Sequence, residues 1–134
     1  MENKKIFPLL KKTREKALAL YSNFKVSAVL VTKEGKLYTG HNIESSSYGL
    51  TICAERVAVF KALSEGERKF DKIYIMADGP DFSTPCGACR QILNDYAPDV
   101  EVILVKESGE TRTFQVSELL PEAFGQRHLQ AAKK

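Results

Sequence analysis

The chain of 134 residues has no tryptophan, only two histidines and only three cysteines. The odd number of cysteines and their spacing argue against the disulfide framework of a small secreted protein and favour reduced thiols. No apolar run approaches the roughly 20 residues that a membrane-spanning helix needs. Lysines also interrupt the apolar start of the chain before a secretion signal can form. These absences predict a cytoplasmic protein with no membrane partner.

The chain also lacks a strong excess of either charge. Its net charge is +3, and residues 1–16 hold six basic side chains against Glu2 and Glu15. The rest of the chain is therefore close to neutral, and a solvated helix face explains the basic cluster without any ligand. We expect no stable nucleic-acid partner.

No repeat, low-complexity tract or linker divides the sequence. Its length predicts one domain over residues 1–134, with residues 1–3 and 126–134 as candidate disordered tails. Hydrophobic periodicity predicts helices over 4–21, 53–64, 86–96 and from near Ser117, and strands over 24–32, 37–42, 72–77, 100–105 and 111–116. This alternation of strands and helices predicts a three-layer α/β fold with right-handed crossover connections.

The three cysteines are the most informative feature of the sequence. Cys53 lies in C-A-E, and Cys86 and Cys89 lie in P-C-G-A-C. Three protein ligands leave a tetrahedral zinc ion one open position, which is typical of a catalytic rather than a structural site. We expect Cys53 to open one helix and the other two cysteines to lie in the first turn of another. The partial positive charge of a helix N-terminus favours the thiolate that binds zinc.

Glu55 lies two positions after the first cysteine, within the same predicted helical turn. A carboxylate at this position can sit beside the open metal position without binding the metal, and it can carry a proton from water to a substrate. The alternative is an exposed glutamate that the helix dipole favours. Because the cysteine triplet is so near, we interpret Glu55 as the catalytic acid and base.

Three thiolates around one Zn²⁺ leave a net negative charge, which opposes the activation of water at neutral pH. We hypothesise that Arg56, next to Glu55, donates charge-assisted hydrogen bonds to the cysteine sulfurs. Gln91, just after Cys89, is a second candidate for such a contact. For Arg56 the alternative is a surface arginine that covers the helix.

Two other classes of protein fit part of this pattern. C-G-A-C at a helix start resembles the dithiol motif of thiol redox proteins, although that reading leaves Cys53 and Glu55 unexplained. A structural zinc module requires a fourth ligand, which His41 or His128 could supply. Zinc content together with a series of cysteine substitutions separates these classes, since a redox protein would purify without metal and a closed zinc site would have no water ligand.

Five segments carry a resemblance to a known family. They are Y-S-N-F-K-V at 21–26, H-N-I-E at 41–44, T-I-C-A-E-R at 51–56, S-T-P-C-G-A-C-R-Q at 83–91 and E-L-L-P-E-A-F at 118–124. Together they resemble the small homotetrameric zinc-dependent cytidine deaminases, from about Leu20 to Phe124. The resemblance implies a three-layer α/β/α sandwich with a mixed five-stranded sheet and one Zn²⁺ per subunit. It also implies hydrolytic deamination of cytidine and 2′-deoxycytidine in pyrimidine salvage.

The same resemblance implies the substrate contacts. It implies that Asn42 and Glu44 bind the sugar hydroxyls and that Phe24 packs against the base. The backbone N–H of Ala54 then holds the base carbonyl, and loop 83–85 shapes the side of the leaving amine. Without the resemblance, an asparagine and a glutamate at a strand end are more often turn residues.

The resemblance also implies a homotetramer. Phe124 would reach the pocket of a neighbouring subunit, and Tyr48 would lie near the subunit contacts. Leu20, Ser27 and Glu122 depart from the proline, glycine and glycine that are usual in the family. These departures concern packing and the path of the tail, and they do not touch the proposed ligands.

The nearest rival is the same chemistry on another aminopyrimidine, either a nucleoside antibiotic or a base in a polynucleotide. The short chain has no additional basic loops, which argues against a polynucleotide. Asn42 and Glu44 favour a free nucleoside, because a phosphorylated substrate needs cations near its sugar. His41 is the one candidate for such a cation in this stretch.

Overall fold

The computed structural model describes residues 2–132 of the chain. The helices are α1 Glu2–Glu15, α2 Ala54–Ser64, α3 Gly87–Tyr96, α4 Val116–Leu119 and α5 Gln126–Ala132. The strands are β1 Val26–Thr32, β2 Leu37–His41, β3 Phe70–Ala77, β4 Glu101–Val105 and β5 Thr111–Gln115. None of the described helices combines the length and the apolar character that a bilayer crossing requires.

The five strands form one mixed sheet in the order β2-β1-β3-β4-β5. Strand β1 is antiparallel to both β2 and β3, strands β3 and β4 are parallel, and β5 is antiparallel to β4. The mixed five-stranded sheet is therefore confirmed. A crossover between parallel neighbours occurs only in the β3–α3–β4 unit of the described chain.

Successive side chains along each strand point to opposite faces of the sheet and contribute to two apolar cores. Helix α1 covers one face of the sheet, where the buried residues are Ile6, Leu10, Val29, Val31, Tyr74, Met76 and Val105. Helices α2, α3 and α4 cover the other face, where the buried strand residues include Ala28, Leu30, Ile73, Ile75, Val102 and Leu104. Helices on both faces make the three layers that the sequence predicts.

The first helix and the first strand are both shorter than predicted. Helix α1 ends at Glu15 because the next segment pairs with the residues after β2: the Leu18 amide donates to the Asn42 carbonyl, and the Glu44 amide donates to the Leu18 carbonyl, both at 3.0 Å. Strand β1 begins at Val26, since Asn23 adopts a left-handed backbone with φ 56°. Phe24 thus lies in a loop.

The predicted terminal helix is divided in two. Helix α4 starts with a capping box between Gln115 and Glu118, and it ends before Pro121. Helix α5 occupies Gln126–Ala132, where the sequence suggested a disordered tail, and α1 begins within the other suggested tail. Met1 and residues 133–134 lie outside the described residues.

The three departures from the family pattern have different surroundings. Ser27 is fully buried, and its hydroxyl donates to the Leu10 carbonyl at 2.8 Å, which ties β1 to α1. Leu20 is exposed. Glu122 adopts φ 55°, a left-handed conformation that glycine reaches without steric cost. Glutamate therefore occupies a left-handed position that suits glycine better.

Helix α2 approaches β2 very closely at Gly40. A methyl group at this position would lie 2.3 Å from the carbonyl oxygen of Ala54 and 2.6 Å from the amide nitrogen of Ala58. Both contacts are with backbone atoms, which cannot rotate away. Only glycine at this position therefore lets the start of α2, which carries Glu55, pack this closely against β2.

We predict that Gly40→Ala lowers the free energy of unfolding by roughly 1–3 kcal/mol, because the added methyl group overpacks a buried contact. It should also reduce the zinc content of the purified protein, because it displaces the start of α2. Gly49→Ala is the matched control, since a methyl group there meets no atom within 4 Å. Urea unfolding and metal analysis of both variants check this, and a Gly40→Ala protein as stable as the control contradicts it.

Candidate active site

The starts of two helices bring the three cysteines together. Cys53 is the N-cap of α2, Cys86 is the N-cap of α3, and Cys89 follows in the first turn of α3. The Sγ atoms of Cys53 and Cys86 are 3.7 Å apart, and those of Cys86 and Cys89 are 3.5 Å apart. All three lie within 4.8 Å of one another, so the group is positioned to bind one metal ion.

The geometry of this group fits zinc. Zn–S bonds of about 2.3 Å in a tetrahedron place sulfur atoms about 3.8 Å apart. This value is close to the Sγ–Sγ distances of 3.7 Å and 3.5 Å in this site. Three soft sulfur donors are also the ligands that zinc accepts readily. Cys89 is buried, whereas Cys53 is half-buried and Cys86 is exposed, so the group has one side open toward a ligand.

The pKa values of the cysteine thiols favour the binding of a cation at this position. A hydrogen bond from Cys89, followed by one from Arg56, lowers the pKa of Cys53 to about 5. The same bond to Cys53, together with burial, raises the pKa of Cys89. One sulfur ionises while its neighbour keeps its proton, because adjacent thiolates repel each other. A bound divalent cation would allow all three to ionise.

Arg56 lies beside the sulfurs. Its Nη2 donates to the Cys53 Sγ at 3.4 Å. This bond to Cys53 is the main reason that the pKa of Arg56 lies above its usual value. The buried Nε–H of Arg56 has no hydrogen-bond partner. The predicted contact with a cysteine sulfur is thus present, and its effect on the metal stays a prediction.

Gln91 does not contact the sulfurs, and the expectation that it does so is wrong. Its Nε2 donates to Asp95 Oδ1 at 3.0 Å and to the carbonyl oxygen of Phe124 at 2.9 Å. The reason is helical geometry: two positions after Cys89, a side chain on α3 points about 200° away around the helix axis. Gln91 instead connects α3 to the chain before α5.

Glu55 is a buried carboxylic acid, with only 5% of its surface exposed. Burial raises its pKa to about 7, with a further contribution from the Cys53 thiolate, while Arg56 acts in the opposite direction. A group with this pKa can both accept and donate a proton near neutral pH. The alternative of an exposed surface glutamate is therefore wrong.

A cavity of about 250 Å³ joins Glu55 to two of the three cysteines. Its walls include Cys53 and Cys86, the start of α2, and the loop between β3 and α3. The other residues that line it are Ser22, Phe24, Val26, Asn42, Glu44, Thr51, Ala54, Ile75, Ser83 and Thr84. The four residues for which the sequence implied substrate contacts all lie on this cavity.

Asn42 and Glu44 already make several protein hydrogen bonds. The Asn42 amide, 7% exposed, accepts from the Val26 amide at 3.0 Å and donates to the Phe24 carbonyl at 2.9 Å. Its Nδ2 also donates to Glu44 Oε2 at 3.3 Å. Asn42 therefore holds the loop before β1 in place, in addition to facing the cavity.

The Glu44 carboxylate also binds the loop before β1, at Tyr21 and Ser22. Oε1 accepts from the amides of Tyr21 and Ser22, each at 2.9 Å, and Oε2 accepts from the Ser22 hydroxyl. The Ser22 hydroxyl bond, with the Ser22 and Tyr21 amides, holds the pKa of Glu44 below its usual value. Glu44 is therefore an ionised acceptor at neutral pH.

The two residues that sequence reasoning missed are Ser22 and Thr51. The Ser22 hydroxyl links Glu44 to the Phe24 amide, from which it accepts at 3.1 Å. Thr51 Oγ1 accepts from the Ser45 amide at 3.1 Å and also faces the cavity. Both residues lie inside the segments that carry the family resemblance. Hydroxyl groups in these segments are suited to binding a sugar, and this is the feature of the sequence that could have revealed them.

Neither histidine joins the cysteines. Among the described residues, the group that could hold a metal consists of the three cysteines alone. The His41 Nδ1 lies 3.2 Å from the Asn42 carbonyl oxygen, and the His128 ring stacks on Phe124 with centroids 5.1 Å apart. A structural zinc site closed by either histidine is therefore excluded.

Tyr48 and Phe124 are exposed on the surface of the chain. Tyr48 is 78% exposed and meets Tyr21 edge to face, with ring centroids 6.3 Å apart. Phe124 is 57% exposed and does not line the cavity of its own chain. Exposed aromatic rings of this kind are common at protein contacts.

Three clustered sulfur donors, two of which line the same cavity as a buried carboxylate in a three-layer sandwich, are typical of a catalytic metal centre rather than a structural one. The family model described as the cytidine and deoxycytidylate deaminase zinc-binding region matches residues 1–106. The chain belongs to this family and is an enzyme that acts on carbon–nitrogen bonds.

Individual proteins agree with this assignment. A cytidine deaminase of Halalkalibacterium halodurans is 49% identical over 112 residues, which cover 83% of this chain and 85% of the relative. One of Sporosarcina psychrophila is 41% identical over 133 residues, covering 98% of each chain. The crystal structure of cytidine deaminase from Burkholderia pseudomallei is 44% identical, with a TM-score of 0.87, and covers 92% of this chain and 100% of that one.

We predict that Arg56→Gln weakens zinc binding by about 10–100-fold, the usual effect of removing a group that orients a metal ligand. The variant loses the guanidinium that, after the hydrogen bond from Cys89, contributes to the lowered pKa of Cys53. Arg68→Gln is the control, because Arg68 is exposed and its guanidinium donates to the backbone carbonyls of Leu63 and Glu67. Competition with a chromophoric chelator measures the affinities. Equal zinc affinity in the two variants would show that Arg56 does not support the metal.

Proposed function

We propose that this chain catalyses the zinc-dependent hydrolytic deamination of cytidine and 2′-deoxycytidine, giving uridine or 2′-deoxyuridine and ammonia. The observation that supports this most directly is the cavity shared by Cys53, Cys86 and the buried Glu55. The names of the relatives point to the same reaction. We place it in pyrimidine salvage in the cytoplasm, with one zinc ion per subunit.

The three cysteines would hold the zinc, with Arg56 beside Cys53. Bound zinc would act as a Lewis acid that makes water nucleophilic near neutral pH. The protein supplies the fixed sulfur positions and a positive guanidinium that offsets their negative charge. Helix N-termini at Cys53 and Cys86 add further partial positive charge.

Glu55 moves the protons. Its carboxylate accepts a proton from the attacking water and delivers it to N3 of the cytosine ring, while the water oxygen bonds to C4. It then transfers the remaining hydroxyl proton to the amino group, and the C4–N4 bond breaks to release ammonia. A pKa of about 7 suits a group that takes and gives a proton in one turnover.

Phe24 and the start of α2 would position the base. Phe24 is partly exposed on the cavity wall, where stacking on a base contributes about 1–3 kcal/mol. The Ala54 N–H belongs to the first turn of α2, whose amides have no partner within the helix. It is therefore available to the base carbonyl. Ser83 and Thr84 form the wall on the side of the leaving amine.

The sugar end of the cavity favours a neutral nucleoside. The ionised Glu44 carboxylate and the Ser22 and Thr51 hydroxyls line it, and no lysine or arginine is among the cavity residues in the described chain. A carboxylate accepts hydrogen bonds from sugar hydroxyls but repels a 5′-phosphate. Cytidine monophosphate and polynucleotides are therefore disfavoured substrates.

We further propose that four copies of the chain assemble, and that Phe124 enters the cavity of a neighbouring copy. An open groove of about 590 Å³ carries exposed Ile43, Leu50 and Phe60, and Tyr48 lies in the same turn as Leu50. A cluster of exposed apolar side chains of this kind is typical of protein contacts. The exposed Phe124, outside its own cavity, is then available to a partner.

We predict that Glu55→Gln lowers kcat at least about 10²–10⁴-fold, because the amide cannot carry a proton. The variant should keep its zinc, since Glu55 is not a ligand in the proposed site. Glu34→Gln, in the exposed turn between β1 and β2, is the control. The loss of cytidine absorbance and metal analysis give both quantities. A zinc-loaded Glu55→Gln enzyme with near-normal activity would remove Glu55 from the mechanism.

We predict that Phe124→Ala and Glu55→Gln complement each other when they are co-expressed. Mixed assemblies contain cavities that combine an intact Glu55 from one subunit with Phe124 from its neighbour. Their activity should exceed that of Phe124→Ala alone. The control is a mixture of the separately purified proteins before subunit exchange. Activity no higher than the average of the two variants would contradict the sharing of Phe124 between subunits.

A further inference from the structure

The loop between β3 and α3, residues 78–85, contains an aromatic ring with two cations over it. The Nζ of Lys106 lies 4.5 Å from the centroid of the Phe82 ring, and the Cζ of Arg112 lies 4.9 Å from it. Both distances are within the range of favourable cation–π contacts. Phe82 is partly buried and also packs against the core under α2 and α3.

The two ends of the loop are held by hydrogen bonds. At its start, Asp78 accepts from the Lys25 amide at 2.8 Å, and the Asp78 amide donates to the Lys25 carbonyl at 2.9 Å. At its end, the carbonyl of Pro85 accepts from Arg90 Nε at 2.7 Å. Phe82 lies between these attachments and fixes the middle of the loop to the sheet.

The two residues after Phe82 form part of the active-site wall. Ser83 and Thr84 both line the cavity that contains Glu55. Ser83 is bonded to Phe82 and Thr84 follows Ser83, so the place of Phe82 in the loop limits where both residues lie. The metal ligand Cys86 is attached separately, as the N-cap of α3. Phe82 is therefore closer along the chain to Ser83 and Thr84, which line the cavity, than to the metal ligand Cys86.

The cations come from elements that do not line the cavity. Lys106 follows β4, and Arg112 lies on β5 opposite Leu104, on the face of the sheet where Phe82 packs. Lys106 also pairs with Glu110 at 3.6 Å. Strand β5, at the edge of the sheet, and the residue after β4 thus support the loop that lines part of the active site.

We propose that Phe82 is a positioning residue for the substrate: the contacts of its ring with Lys106 and Arg112 hold Ser83 and Thr84 in the arrangement that binds the base. The inference rests on the proposed deamination of cytidine. Without these contacts the loop occupies its binding arrangement for a smaller fraction of the time, and apparent affinity falls by that fraction. KM changes, while kcat and zinc content do not.

The test compares Phe82→Leu, which keeps apolar bulk without an aromatic face, with Phe82→Tyr, which keeps both. We expect Phe82→Leu to raise KM for cytidine and the dissociation constant of uridine about fivefold, and Phe82→Tyr to stay within about twofold of the unmodified protein. Phe7→Leu is the control, because Phe7 has a similar contact with Lys11 at 5.4 Å on the opposite face of the sheet.

A second pair of variants leaves Phe82 intact. Lys106→Met together with Arg112→Met should raise KM as Phe82→Leu does, whereas Glu110→Gln removes the ion pair but keeps the lysine and should have no effect. An unchanged KM in both Phe82→Leu and the double variant overturns the proposal. Equal impairment of Phe82→Leu and Phe82→Tyr overturns it as well. If the unmodified protein does not deaminate cytidine, the proposed function fails, and uridine binding then tests Phe82 alone.

Discussion

Like charges held at short range dominate the chemistry of this site. Three sulfur atoms within 4.8 Å of one another cannot all be thiolates unless positive charge is close to them. The fold supplies part of that charge through two helix N-termini, and Arg56 supplies more through its contact with Cys53. A divalent cation completes the balance. The close approach of α2 to β2 at Gly40 packs the start of α2, with Cys53 and Glu55, against the sheet.

The buried carboxylate depends on this balance as well. Glu55 lies in surroundings that raise its pKa, so it exchanges a proton near neutral pH. The sugar end of the same cavity is built differently, with an ionised Glu44 held by amide and hydroxyl donors. One cavity therefore contains two carboxylates with opposite pKa shifts. Burial produces the first shift and hydrogen bonding produces the second.

The sequence predicted the metal ligands because residue type and spacing are enough to recognise them. It predicted the layers and the mixed sheet, but it placed the end of α1 at residue 21. That error has a physical cause, since the pairing of Leu18 with the chain after β2 is a long-range contact that no local period reveals. Gln91 follows Cys89 closely in sequence but faces away from the sulfurs, because residues two positions apart lie on nearly opposite sides of a helix. The bonds of Asn42 and Glu44 to the loop before β1, and the cations over Phe82, also join residues far apart in sequence.

If the three cysteines and Glu55 form a zinc-dependent deaminase site, the turnover of cytidine must depend on zinc. The decisive experiment follows the ultraviolet absorbance of cytidine during incubation with the purified protein, before chelation, after removal of zinc and after its return. We expect one zinc ion per chain, a fall in absorbance that stops on chelation and resumes with zinc, and little reaction with cytidine monophosphate. Full activity in protein freed of zinc, or no reaction of cytidine with zinc-loaded protein, would rule out this site.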